Sequence, residues 1–99
     1  MARTPIHPGE ILGDELREIG VSAAELARLI HVPANRVSQI LRGKRDITAD
    51  TALRLGRWFG TGPQLWLNLQ YAYDLDVAQQ QLGEALNVIE PRTPETARA

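Results

Sequence analysis

The 99-residue sequence predicts an all-α domain of five helices. Three observations lead there. Apolar residues recur at steps of three and four through almost the whole chain, the spacing that lines them along one side of a helix. Glycine and proline divide these periodic stretches into short segments. Strand signals are nearly absent, and only "LNVIE" at 86–90 is expected as a short extended piece.

The first helix is predicted over "HPGEILGDELREIG", 7–20. Pro8 suits a first helical position, where the missing N–H costs nothing, and Glu10 stands where its carboxylate can reach back to the backbone N–H of His7. Ile11, Leu12, Leu16 and Ile19 form its apolar stripe, and Gly20 ends it. "SAAE" at 22–25 reads as a capping box opening a second helix of about nine residues through Leu26, Ala27 and Ile30. Val32-Pro33 breaks that helix, because proline pushes the residue before it out of the α region while itself tolerating a first turn. The third helix is predicted from Pro33 to about Arg42, with Val37, Ile40 and Leu41 inward and Gly43 as a left-handed cap. A fourth begins behind Thr48, carries Ala52, Leu53, Leu55, Trp58 and Phe59, and stops at Gly60. The fifth runs from Pro63 to about Leu82. Residues 1–90 are thus one domain with its core in 7–82, and "PRTPETARA", 91–99, reads as a flexible tail.

Composition narrows the function classes. At 43% hydrophobic and 23% charged the chain is ordinary globular protein, with no apolar run near the roughly 20 residues that a membrane span needs. The N-terminus shows no secretion or import pattern, so a cytoplasmic address is expected. The absence of cysteine removes disulfides, thiolate metal sites and cysteine nucleophiles. No cofactor and no metal site are expected, since His7 and His31 are the only imidazoles and a metal needs at least three converging ligands as a rule. "HPGE" is explained by the start of a helix, and His31 by its place near a helix C-terminus, where a cation is favoured. "GTGP" at 60–63 lacks the Lys-Ser/Thr of a phosphate-binding loop. Nothing therefore points to an enzyme.

Charge distribution carries more than its total of -1. Residues 28–57 hold seven cationic side chains against Asp46 and Asp50, while 1–27 and 58–99 each carry two cations against five acids. A positive patch on an otherwise acidic surface attracts phosphate without making the domain basic overall. Its densest part is "VPANRVSQILRGKR" at 32–45, which follows the short second helix across a turn of about three residues, the sequence form of a helix-turn-helix. In that arrangement the N-terminal half of the second helix of the pair enters the major groove of B-form DNA. Asn35, Arg36 and Gln39 are the candidate base readers, with Ser38 beside them, because Arg can bridge O6 and N7 of guanine while Asn or Gln can bridge N6 and N7 of adenine. Arg42, Lys44 and Arg45 lie beyond the reading half and are expected on phosphates, with Ser22 at a helix N-terminus as a further candidate.

Together "HPGEIL" at 7–12, "SAAELARLIHVPANRVSQILRGKRDIT" at 22–48, "TALRL" at 51–55 and "WLNLQYAYDL" at 66–75 resemble the HigA-type (VapI-type) antitoxins within the lambda-repressor-like XRE helix-turn-helix superfamily. The resemblance covers about residues 7–75, and "HPGE", "GKRDIT" and "WLNLQ" at these spacings carry it. It implies a five-helix lambda-repressor-like DNA-binding domain. It also implies a homodimer that represses its own operon and neutralises a RelE-like toxin, a ribosome-dependent mRNA endonuclease. Carried over by position, the superfamily's DNA contacts fall on Ala23, Ala34, Asn35, Arg36, Ser38, Arg42 and Arg45, with Ala23 standing where many relatives have glutamine. With nine residues after Glu90, neutralisation through a long disordered arm is not expected.

The fifth helix holds more apolar residues than one buried stripe requires. Trp66, Leu69 and Tyr73 share a face, whereas Leu65, Leu67, Tyr71 and Leu75 spread around the rest and form the candidate dimer interface. A dimer would set two recognition helices one DNA turn apart, roughly 34 Å, and so predicts a palindromic double-stranded operator. The alternatives are a stand-alone XRE-type repressor without a toxin partner and an interaction module that has lost DNA binding.

Overall fold

A computed structural model of the chain describes residues 4–93. Of the expected tail, residues 94–99 lie outside the described residues. Among the described residues six helices follow one another: α1 (Pro8–Ile19), α2 (Ala23–Leu29), α3 (Ala34–Leu41), α4 (Ala49–Phe59), α5 (Gln64–Leu82) and α6 (Glu84–Val88). The sixth is a departure from the sequence reading. "LNVIE" does not extend; its first three residues complete α6, and Ile89 is the cap. A short apolar run fits a strand and a helix equally well by pattern, and here Gly83 (φ 51°) ends α5 and a new short helix starts directly after it.

Local chemistry accounts for most helix ends. His7 caps α1 reciprocally, its Nδ1 accepting from the Gly9 N–H at 2.9 Å while Glu10 Oε2 accepts from the His7 N–H at 3.3 Å. Ser22 Oγ accepts from the Glu25 N–H at 3.1 Å, but the expected return bond is replaced by an ion pair, Glu25 lying 3.8 Å from Arg28. α2 is seven residues long instead of nine, because it ends in a left-handed residue that is not glycine. His31 has φ 63°, the Val32 N–H reaches back to the Ala27 carbonyl, and the His31 N–H to that of Arg28. The same paired closure ends α3, where Gly43 (φ 72°) and Lys44 donate to Ile40 and Gln39.

Burial follows the predicted stripes with two corrections. Leu12, Leu16, Leu26, Val37, Ile40 and Leu55 are buried together, and Trp66 from α5 closes the core. Ile19, assigned to the α1 stripe, is 48% exposed because it lies in the last turn, beyond the helices that cover Leu12 and Leu16. Leu53, on the outer side of α4, is 59% exposed. α1 packs on α3 and α5, α2 on α3, and α4 on α5. Two buried polar groups tie loops to α5. Gln70 Oε1 accepts from the Ile47 N–H at 2.7 Å, anchoring the segment between α3 and α4, and Trp66 Nε1 donates to Thr61 Oγ1 at 3.1 Å.

Beyond Gln70 no residue of α5 is buried, and from Ala78 to Thr93 every residue is exposed. The Cα radius of gyration is 17.6 Å against about 13 Å for a compact chain of 100 residues. The distal half of α5 with α6 therefore stands away from the body as an arm.

Candidate nucleic-acid interface

α3 buries Val37 and Ile40, packs Leu41 against the core and turns its polar residues outward. Ala34 and Asn35 are exposed at its start, and Arg36, Ser38 and Gln39 are half-buried along its outer edge. Small Ala34 keeps the leading end narrow, which a helix entering a groove needs. Arg42, Gly43, Lys44 and Arg45 follow as an exposed loop. Ser22 is exposed at the start of α2, whereas Ala23 is half-buried against the core and has only part of a methyl group to offer a ligand.

The candidate readers are held in place by other residues. Arg45 Nε donates to Gln39 Oε1 at 2.9 Å, fixing the amide so that its NH2 faces away from Arg45, and Ser38 Oγ donates to the Asn35 carbonyl at 3.2 Å. Arg36 Nη1 donates to Asp50 Oδ1 at 3.2 Å, across to the first turn of α4. The same Asp50 oxygen accepts from Arg54 Nε at 2.8 Å, and Arg54 Nη1 in turn donates to the carbonyls of Ile30 and His31 at 2.9 and 3.1 Å. A hydrogen bond from Arg54, aided by the charges of both arginines, holds the Asp50 carboxyl below its ordinary value of 3.8. Arg42 and Lys44 have no ion pair among the described residues. Their charge is directed wholly to solvent.

Asp50 and Arg54 were not among the candidates from the sequence. Their spacing of four on one helix was the visible signal of an ion pair, but the link to Arg36, fourteen residues earlier, depends on how α4 crosses α3.

The helix-turn-helix family model matches residues 14–66, more than half of the chain. A relative, Virulence-associated protein I of Dichelobacter nodosus, is 53% identical over 87 residues, covering 87% of this chain and 80% of its own. A HigA-family addiction module antidote protein from Coxiella burnetii superposes with a TM-score of 0.88 at 50% identity, covering 91% of this chain and all of that one. The chain belongs to the HigA-type helix-turn-helix family. Another HigA structure, the Pseudomonas aeruginosa antitoxin with the higBA promoter, has a TM-score of 0.85 at 49% identity over 90% of this chain and 99% of that one. Members of this HigA family are DNA-binding regulators and antitoxins, not enzymes. Among the described residues no helix is long and apolar enough to cross a membrane.

Proposed function

We propose that this chain is a cytoplasmic DNA-binding antitoxin that represses its own operon and neutralises a RelE-like mRNA endonuclease. The observation that carries the DNA half is the outward polar edge of α3 continued by a cationic loop with unpaired Arg42 and Lys44. In this reading Asn35, Arg36 and Gln39 contact base edges, Ala34 and Ser38 let the helix come close, and Ala23 lies near the backbone. Ser22, Arg42, Lys44 and Arg45 hold phosphates. The structure of the Pseudomonas aeruginosa antitoxin HigA with the higBA promoter supports it, at 49% identity.

A homodimer completes the reading. Leu65, Tyr71 and Leu75 of the expected seam are 44%, 54% and 62% exposed, surface that a monomer leaves in water. Leu67 contributes less, because it is half-buried against the molecule's own core. Leu82, Leu86, Val88 and Ile89, farther along the arm, are exposed as well.

The test is a titration of labelled DNA from upstream of the gene at several salt concentrations. Two protomers each placing Arg42, Lys44 and Arg45 on phosphates give a slope of log K against log salt of roughly -5. A flat salt dependence, or no preference over scrambled DNA, removes the repressor reading. Arg36→Ala should relax preference at one position of each half-site, whereas Lys44→Ala should weaken all duplexes alike. Co-expression with the neighbouring reading frame separates the antitoxin from a stand-alone repressor, since only the antitoxin restores growth.

A further inference from the structure

The carboxylate of Asp50 joins three elements that the chain keeps apart. It accepts from Arg36 of α3 and from Arg54 of α4, and Arg54 is itself clamped on the two carbonyls that close α2. Asp50 is thus held from behind, and its hold on Arg36 takes only the Nη1 end of a guanidinium with five N–H donors. The other donors remain for an acceptor pair such as O6 and N7 of guanine. A guanidinium free of any partner would sample many rotamers and bind whichever phosphate lay nearest, which adds affinity without sequence information.

We propose that Asp50, braced by Arg54, is a positioning residue for sequence recognition: it aims Arg36 at a base edge and, by pairing with it, keeps it off the phosphate backbone. This rests on the reading of α3 as the helix that enters the major groove. The interaction contributes discrimination rather than affinity. Removal of the carboxylate should therefore leave binding intact and blunt its selectivity, an outcome opposite to that of losing a phosphate contact. Asp50 is 58% exposed, so its replacement leaves the core untouched.

The experiment uses the full chain and two probes: a duplex selected by the unmodified protein from a randomised pool, and poly(dI-dC) as a sequence-neutral duplex. With Asp50→Asn, preference for the selected duplex over a single-base variant at the Arg36-dependent position should fall about tenfold, the scale of one good bidentate pair. Affinity for poly(dI-dC) should hold or rise, with a salt slope steeper by about 0.9 for each further phosphate contact. In the Arg36→Ala chain, adding Asp50→Asn should change the preference no further. Equal weakening on both duplexes at unchanged preference, or an effect of Asp50→Asn that persists in the Arg36→Ala chain, overturns the role of Asp50. If the unmodified protein selects no sequence, α3 is not the base reader and both readings fall; if Arg36→Ala leaves preference intact, the role of Asp50 falls while Asn35 and Gln39 keep theirs.

Discussion

Gly9 and Gly13 lie four residues apart on α1, and adding one methyl group to each should move stability in opposite directions. A Cβ on Gly9 would stand 1.9 Å from the carbonyl oxygen of Ile40 and 2.8 Å from its carbon. Ordinary contact begins near 3.4 Å, so the two backbones must separate by about 1.5 Å, and neither can rotate out of the way. Overpacking of this kind costs about 1–3 kcal/mol, and the backbone-to-backbone contact places Gly9→Ala at the upper end. At about 4–8 °C per kcal/mol for a domain of this size, Tm should fall by about 12–24 °C. At Gly13 the added Cβ would meet Arg17 Nη1 at 3.5 Å and Leu41 Cδ2 at 3.7 Å, which is comfortable contact. Gly13→Ala should therefore stabilise by about 0.8–1 kcal/mol through helix propensity alone. Thermal melts followed by circular dichroism compare the two chains directly. Shifts of the same sign, or a Gly9→Ala chain melting within about 2 °C of the parent, would refute the claim that α1 rests directly on the backbone of α3. That contact also helps set the tilt at which α3 is presented.

Replacing Gln70 by Leu leaves the buried Ile47 N–H without its acceptor at 2.7 Å, which should cost about 1–3 kcal/mol in urea unfolding and speed exchange of the Ile47 amide; an unchanged midpoint contradicts the anchoring role. The lowered pKa of Asp50 implies that its pairing supports the folded state fully above pH 3.8 and is lost as pH falls through the depressed folded value. Carboxyl-carbon NMR should accordingly show a midpoint below 3.8 that returns toward it in Arg54→Gln, and a midpoint indifferent to that substitution removes the Arg54 contact as the main cause. Leu75→Asp, at a side chain 62% exposed, should shift sedimentation toward the monomer and weaken operator binding at low protein concentration, while an unaltered dimer places the seam elsewhere.

The helix-turn-helix was legible because it is written in short-range terms. Ser22, Thr48, Gly43 and Gly60 cap their helices as their types demand, since a cap depends only on residues within about one turn. The stripe of Val37 and Ile40 likewise left one edge of α3 polar, and the net of cations in 28–57 marked that edge as a place for phosphate. What stayed hidden turns on relations across many residues. His31 in the left-handed region follows no residue preference strong enough to predict, and Leu67 was indistinguishable from Leu65 until α5 took up its rotation on α4. The sequence alone decided the first five helices and marked α3 as the candidate reader of DNA, because periodicity and capping are local. Only the tertiary structure decided that Asp50 would hold Arg36, that Gln70 would hold Ile47 and that the end of α5 would find no cover, because each depends on the angle and distance at which separate helices meet.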